Sequence, residues 1–385
     1  MKIAHVTSGL SVQGAGVRAV VEALARTQSD AGHELAVFGL EDADWRAGAR
    51  DEWSGLSVEA LPIKGPGALG YAPGMTRALT NWAPDVVHLH GLWMHPARSV
   101  LQWHRRTERP YVLSPHGMLS AVALSYSPLK KRIVRHLFQD RAFAEAASLL
   151  ATSVGEREEI RAFGLGNPVA TLANGVAPIE QPQVLPQRAT KTLLTLGRVH
   201  RKKGIDVLLE AWARLEPAHP DWSLRIVGPD EEGHTQELKS LVARLGVTRV
   251  DFVGPVYGPE RDVEMAAADI FVLPTRSENF ALTVAESLML EVPVVSSKGA
   301  PWPGLEAHGC GRWVDLDPAG LAEALAGMMA EPEAVRREMG RRGRAWMRAD
   351  FAWPVIGASL AELYDWARGG APAPAFLEMG SGTNG

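Results

Sequence analysis

The feature that most limits how this chain can fold is an alternation that runs through it twice. Short apolar, β-branched-rich runs occupy Ile3–Val6, Leu35–Phe38, Val86–Leu89, Tyr111–Ser114, Leu149–Thr152 and Val169–Leu172. Stretches of helical periodicity lie between them, such as Val17–Gln28. Strands that are apolar along their whole length are buried on both faces, which a parallel sheet covered by helices provides. Residues 176–191 then hold three prolines and no periodicity, as a linker does. Beyond it, strands are predicted over Thr192–Leu196, Leu224–Val227, Val250–Val253, Ile270–Leu273 and Val292–Ser296. Helices are predicted over Ile205–Leu215, Gln236–Leu245, Phe280–Leu290 and Leu321–Ala330. A chain of 385 residues has room for two domains at roughly 150 residues each. The fold class is therefore α/β, with two successive Rossmann-like parallel-sheet domains. The run Ala334–Tyr364 is helical and broken near Phe351–Pro354, where Pro354 suits the start of a fresh helix. Residues 371–385 are rich in Gly, Pro, Ala and Ser and read as a disordered tail.

Composition removes several classes. With 46% hydrophobic and 22% charged residues the chain is neither fibrous nor disordered. A lone cysteine, Cys310, excludes a disulfide framework and a cysteine-rich metal site. No run of eighteen apolar residues is present, and Met1–Val6 reads as a strand rather than a signal peptide, so a cytoplasmic location is expected. A formal net charge of −4 gives no global pull towards nucleic acid.

Four constellations carry chemistry. The first is the loop Gly9–Gly16, in which Gly14–Ala19 match G-x-G-x-x-A, with Glu41 and Asp42 after the second strand. The glycines start too far beyond the strand for a nicotinamide fingerprint. A backbone-donor loop opening a helix, suited to a phosphate or a hydroxyl-rich ligand, fits better, as does a close strand–helix turn. The second is a histidine cluster, His88, His90 and His95, followed by His116 in Pro115-His116-Gly117. His88 and His90 share a strand face, a spacing zinc hydrolases use, yet the nearest carboxylate is Asp85 at the strand's start. His116 follows a strand at the carboxyl edge of the sheet, where open α/β folds bind ligands and an imidazole can donate to a substrate oxygen.

The third constellation is Gly197–Gly204, where Arg198, Lys202 and Lys203 crowd the mouth of a helix and suit a diphosphate, with a solvated basic loop as the alternative that its position after a strand makes weaker. The fourth is Pro274–Glu286, with Glu278 and Glu286 eight apart across a loop-to-helix boundary. The N–H groups of Phe280, Ala281 and Leu282 fall at that helix start, where an anion can bind. Glu286 sits in an apolar stripe, where an unpaired charge is costly, and a carboxylate there suits a ribose.

These residues resemble the retaining glycosyltransferases of family 4, of the GT-B fold, including polysaccharide-assembly members. The resemblance covers residues 1 to about 366: Glu278 and Glu286 match the family's E-x7-E, Arg198 and Lys203 its donor-diphosphate positions, His116 its first-domain histidine, and Asn174-Gly175 its turn before the linker. It implies domains at 1–180 with 354–370 and at 190–350, facing a cleft, with the last helix crossing back. It implies a nucleotide-diphosphate sugar as donor, Glu286 on the ribose, Glu278 and His116 as catalytic residues at the donor sugar, and the backbone near Gly14 and Gly16 approaching the phosphate or sugar. It implies hexose transfer to a saccharide acceptor with retention, assisted by the diphosphate, with no metal or other cofactor. Alanine stands at 281 where the family has glycine. It can supply the same N–H if its φ stays negative.

Twelve tryptophans against five tyrosines prompt a sugar-stacking expectation, with Trp93 and His90 on the acceptor side and Trp302 on the donor side, against the alternative that both tryptophans pack in their loops. Residues 130–138 interleave Lys130, Lys131, Arg132 and Arg135 with apolar positions. They read as a peripheral contact with an anionic inner-membrane face near a lipid-linked acceptor, or as an amphipathic domain helix. The competing readings are a metal-dependent hydrolase built on the histidines and a non-catalytic nucleotide-sugar-binding module.

Overall fold

A computed structural model describes residues 1–11, 15–48 and 53–380. It divides into two units, Met1–Gly175 with Trp353–Gly385, and Val176–Ala352.

The first unit is built on β1 (Lys2–Thr7), β2 (Glu34–Glu41), β3 (Val58–Pro62), β4 (Val86–His90), β5 (Tyr111–Ser114), β6 (Ser148–Ala151) and β7 (Val169–Thr171). The second carries β8 (Lys191–Leu196), β9 (Trp222–Val227), β10 (Val250–Gly254), β11 (Ile270–Leu273), β12 (Val294–Ser297) and β13 (Gly311–Val314), and the chain ends on β14 (Leu377–Glu378) in the first sheet. The first sheet runs β14-β7-β6-β5-β4-β1-β2-β3, parallel apart from β14. The second runs β10-β9-β8-β11-β12-β13. Each sheet therefore reverses its winding once, between β1 and β4 and between β8 and β11. The loops beyond the carboxyl ends at such a reversal diverge and leave a crevice, where open α/β sheets bind ligands.

Period-two geometry explains why these strands are apolar throughout. In β1, Ala4 and Val6 face one core with Phe38, Leu89 and Tyr111, while Ile3 joins the other with Val21, Leu24, Val86 and Tyr364. The second core gathers Leu209, Trp212, Leu224, Val272, Val295 and Leu325. The helix Trp353–Ala367 buries Ile356, Leu360, Leu363 and Tyr364 in the first unit's core, beside the helix Ala15–Asp30.

Three strands lack the apolar signal. β3 is an edge strand whose burial alternates, β13 has one buried residue, and β14 is two residues long. The expected disordered tail is corrected as far as residue 380: Leu377 and Glu378 pair antiparallel with Ala170 and Val169, and Leu377 is buried. Residues 381–385 lie outside the described residues.

Candidate active site

The loops after β8 and β11 leave adjacent strands at the second reversal. After β8, Gly197 takes φ 152° and the chain passes through the turn Arg201–Lys203 into the helix Ile205–Leu215. Two glycines are needed because backbones touch. A Cβ at Gly228 would lie 1.8 Å from the Gly197 carbonyl oxygen, and one at Gly204 would lie 1.9 Å from that of Pro274. That approach brings Lys203 Nζ to 2.6 Å from Glu278 Oε1, both mostly buried. Thr275 Oγ1 is 3.4 Å from the same carboxylate oxygen, and the Glu278 N–H donates to the Gly299 carbonyl at 2.7 Å. Arg198 stays exposed and forks onto Glu231, with Nη1 2.9 Å from each oxygen.

Glu286 lies one turn into the helix Leu282–Met289, whose first N–H groups have no partner within the helix. Its carboxylate is paired with Arg261 of the helix Pro259–Ala266. Sequence reasoning missed Arg261, which sits in a charged, glycine-flanked segment with no motif of its own. Ala281, the N-cap, has φ 64° and ψ 67°. The expectation of a negative φ is corrected: this alanine holds the left-handed conformation that glycine adopts freely. Phe280 is buried, and the Trp302 indole N–H donates to its carbonyl at 2.6 Å. Trp302 packs on Phe280, Trp346 and Phe351 and is 2% exposed, so it braces the loop and has no face for a sugar.

In the first unit, His5 on β1 and His88 on β4 are register partners, and His90 follows two residues on. The three lie under the helices that supply Gln28 and Tyr364. His5 Nε2 meets Gln28 Oε1 at 2.8 Å, His5 Nδ1 meets His90 Nε2 at 2.9 Å, and His90 Nδ1 meets His116 Nε2 at 3.0 Å. His88 bonds to the Tyr364 hydroxyl and to Ser114 Oγ, each at 2.7 Å. Burial lowers His5 to about 4 and holds His88 and His90 well below the ordinary imidazole range, so all three are neutral at pH 7. Burial also lowers His116, against the opposing pull of the Glu156 carboxylate.

Ring nitrogens of His5, His88 and His90 lie within 4.8 Å of one another, close enough for a metal ion to bridge. In this structure those nitrogens bond to each other, to His116 and to Gln28, Ser114 and Tyr364. The acceptor-contact expectation for His90 is corrected for the same reason: both its nitrogens are engaged within the protein. Trp93 is corrected too. It is 5% exposed, with its ring against Phe143 and Phe163 and its N–H donating to Gln139 Oε1 at 3.0 Å from the backbone.

His116 and Gly117 both take positive φ, 52° and 74°. Buried Glu156 holds their turn, accepting from the Gly117 N–H at 2.5 Å and from Thr152 N and Oγ1 at 2.7 and 2.8 Å. Sequence reasoning missed Glu156, whose N–H donates to the N-cap Ser153 Oγ at 3.1 Å. A crevice of about 460 Å³ opens at the β1–β4 reversal, bounded by Ser8, Gly9, Val17, Asp42, His90 and Gly91. Gly14 lies outside the described residues. Gly16 is in the first turn of Ala15–Asp30, and a Cβ there would meet nothing within 4 Å. Asp42 caps the helix Ala43–Ala47 through the Trp45 N–H at 2.8 Å and accepts from Ser11 Oγ, a structural role in place of a ribose contact.

Known proteins divide along the same line. Residues 15–175 match the glycosyl transferase 4-like domain and residues 178–346 match glycosyl transferases group 1. Among relatives, a phosphatidyl-myo-inositol mannosyltransferase of Mycolicibacterium smegmatis is 27% identical over 372 residues, 92% of this chain and 91% of that protein. A glycogen synthase of Mycobacterium tuberculosis is 29% identical over 311 residues, 76% of this chain and 72% of that one. Anabaena HepE, solved in complex with UDP, superposes with a TM-score of 0.74 at 19% identity, covering 95% of this chain and 100% of its own. With both of its domains matched, and with two Rossmann-like sheets of the GT-B class, the chain belongs to the glycosyltransferases, a 4-like domain followed by a group 1 domain.

Proposed function

We propose that the chain moves a hexose from a nucleoside-diphosphate sugar to a saccharide acceptor, with retention and without a divalent metal. One observation carries the reading: at the β8–β11 reversal, Lys203 and Glu278 are held 2.6 Å apart against backbone too close to admit a Cβ at Gly204. A departing diphosphate gains negative charge as its bond to the anomeric carbon breaks. Lys203 and Arg198, at the mouth of the helix Ile205–Leu215, supply cations for that charge, and a preorganised cation is most effective where charge develops. The acceptor oxygen bonds to the anomeric carbon on the face the diphosphate leaves, and its proton passes to the departing phosphate oxygen. Atoms and charge balance without a protein nucleophile or a metal. Glu286 takes the ribose hydroxyls, with Arg261 fixing its carboxylate, and Glu278 takes hydroxyls of the transferred sugar.

HepE was solved with UDP and with UDP-glucose, which makes uridine the first base to try. A panel of nucleoside diphosphates read by thermal unfolding tests the donor site. A ligand at a hundred times its dissociation constant stabilises by about 2.7 kcal/mol. A rise in Tm with one of uridine, guanosine, adenosine or thymidine diphosphate is expected, and silence from all four overturns the reading. Turnover that survives exhaustive chelation supports the metal-free mechanism, and its loss refutes it.

The acceptor reading is a lipid-linked saccharide met at an inner-membrane face. The helix Pro128–Val134 continues through a wider turn, Arg135–Gln139, and leaves Leu129, Ile133 and Leu137 exposed. Ile133 and Leu137 border an open apolar groove of about 380 Å³ with Leu69, Tyr71, Arg98 and Lys130, and no acidic residue lies between Glu108 and Asp140. Arg135 is paired with Asp140 at 2.9 Å, whereas Arg98 and Lys130 have no carboxylate partner among the described residues, and apolar side chains beside such cations suit anionic lipid. Among the described residues no helix is long and apolar enough to cross a membrane. Co-sedimentation with vesicles that rises with their anionic lipid content, and falls in Ile133→Asp, is expected. Equal binding to neutral vesicles counts against it.

A further inference from the structure

Gln28, His5, His90 and His116 make one continuous line of hydrogen bonds, at 2.8, 2.9 and 3.0 Å, running from the helix Ala15–Asp30 through β1 and the end of β4 to the turn after β5. A neutral imidazole has one N–H and one lone pair, so the polarity at one end of such a line dictates every link. The end here is a carbonyl. Gln28 Oε1 faces His5 Nε2 and can only accept, which places the His5 proton on Nε2. His5 Nδ1 must then accept from His90 Nε2–H, and His90 Nδ1 from His116 Nε2–H. Neutral His116 is left with a bare Nδ1.

The sense rests on that contact: Oε1 is the atom of the amide that is engaged, at His5 Nε2, while Gln28 Nε2 has no hydrogen-bond partner among the described residues. Burial keeps His5, His88 and His90 uncharged at pH 7, so no second proton disorders the line. The side branch through His88 imposes no direction, because Tyr364 and Ser114 offer hydroxyls that donate or accept. At the far end the ring is fixed by the left-handed turn at His116 and Gly117 that Glu156 ties down.

We propose that the Gln28–His5–His90 line sets the tautomer of His116, so that Nδ1 accepts a hydrogen from a hydroxyl of the bound saccharide. Gln28, His5 and His90 are positioning residues acting through His116. This reverses the expectation that His116 donates to a substrate oxygen. It rests on the reading that His116 lies at the sugar site. The titratable groups facing the line are His88 from β4, Tyr364 from the last helix and Glu156 from the helix Val154–Ala162.

The test is nitrogen-15 spectroscopy of the histidine-labelled full chain at pH 7, joined to turnover. His116 is expected protonated on Nε2 and bare on Nδ1; a proton on Nδ1 overturns the proposal. In His90→Leu the acceptor is gone. The His116 tautomers are expected to mix and kcat to fall about tenfold or more, with the donor KM held within about threefold. His90→Asn, whose carbonyl can accept from His116 Nε2–H, is expected to recover most of both. Unchanged His116 nitrogen shifts in His90→Leu overturn the idea. Should that variant not fold, Gln28→Met removes the carbonyl at the other end and is expected to mix the tautomers of all three rings; a spectrum identical to wild type refutes the line. If His116→Ala turns over at the wild-type rate, the site reading fails while the tautomer assignment stands.

Discussion

At the reversal of the first sheet, β1 and β4 deliver imidazoles that are buried, neutral and bonded to one another. At the reversal of the second, the loops after β8 and β11 deliver ions that are partly exposed and paired, Lys203 with Glu278, Arg198 with Glu231 and Glu286 with Arg261. The topology is the same and the polarity is solved in opposite ways. Neutral rings can be sunk completely if every nitrogen finds a partner, and the reward is a fixed geometry. Full charges are sunk only where several donors offset the desolvation, as at Glu156; the ions of the second reversal stay nearer solvent and can exchange one partner for another. The first arrangement suits a group that must present one atom in one direction. The second suits a site that must accept and release a multiply charged ligand.

Acid should separate the two most strongly. Folded His5 titrates at about 4, against about 6.5 when unfolded. Between those values the unfolded chain binds more protons, so stability is complete above pH 6.5 and is lost as pH falls towards 4. His5 alone accounts for about 3 kcal/mol at 1.36 kcal/mol per pH unit, and His88 and His90 push the same way. In the second unit Asp230 and Glu237 are lowered, by hydrogen bonds from Thr235 and His234 respectively, so their contribution is present above about pH 4.5 and fades only below it. Hydrogen exchange from pH 7.5 to 5, corrected for intrinsic rates, should accelerate in β1 and β4 while β8 and β11 hold. Equal acceleration in both units would break the comparison.

Next in size is the loss of a cation. Lys203→Met removes the charge closest to Glu278 and should cost about 10²-fold or more in kcat, the scale seen when one preorganised charge-stabilising group is deleted. Arg198→Met should cost less, because Arg198 is 66% exposed and works in higher dielectric. Steady-state rates of the two variants check the order; a Lys203→Met rate within threefold of wild type would remove Lys203 from the mechanism.

How far the sequence foreshadowed these sites follows the same division. Glu278, Glu286, Lys203 and His116 were legible because each breaks a local pattern, a charge at a strand end or inside an apolar helix. Their partners were not. Arg261 reaches Glu286 from another helix, and Gln28 meets His5 only once β1 pairs with β4 and the helix Ala15–Asp30 lies across them. The tryptophan excess could not decide between sugar stacking and packing, because count carries no direction. Trp103, Trp212, Trp222 and Trp302 are among the most deeply buried large side chains, spent on core volume rather than sugar. The short strands β3, β13 and β14 escaped because they lack a second buried face.

Paired tryptophan variants sharpen the comparison at a smaller scale. Trp302→Phe and Trp93→Phe each remove similar volume from a buried site. Trp302 also loses a hydrogen bond to the Phe280 carbonyl, whereas Trp93 Nε1 has no partner among the described residues. Trp302→Phe should therefore be the more destabilising by about 1–2 kcal/mol, the cost of stranding a buried acceptor. It should also raise the donor KM, because it loosens the loop that carries Glu278. Equal midpoints in urea would mean the hydrogen bond holds nothing.

Ala281 gives the smallest effect and tests the loop directly. Its φ of 64° puts Cβ against the following carbonyl, at a cost of about 1–2 kcal/mol for a non-glycine residue. Glycine relieves that strain but gives up freedom on folding, worth about 0.5–1 kcal/mol. Ala281→Gly should therefore stabilise by about 0.5–1 kcal/mol and leave the donor KM unchanged, since the backbone N–H groups stay where they are. His116 is another of the non-glycine residues at positive φ, and there the same substitution should instead abolish function while relieving similar strain. A stable Ala281→Gly with weakened donor binding would mean that the alanine methyl itself touches the donor, and that the strain is kept for contact rather than tolerated.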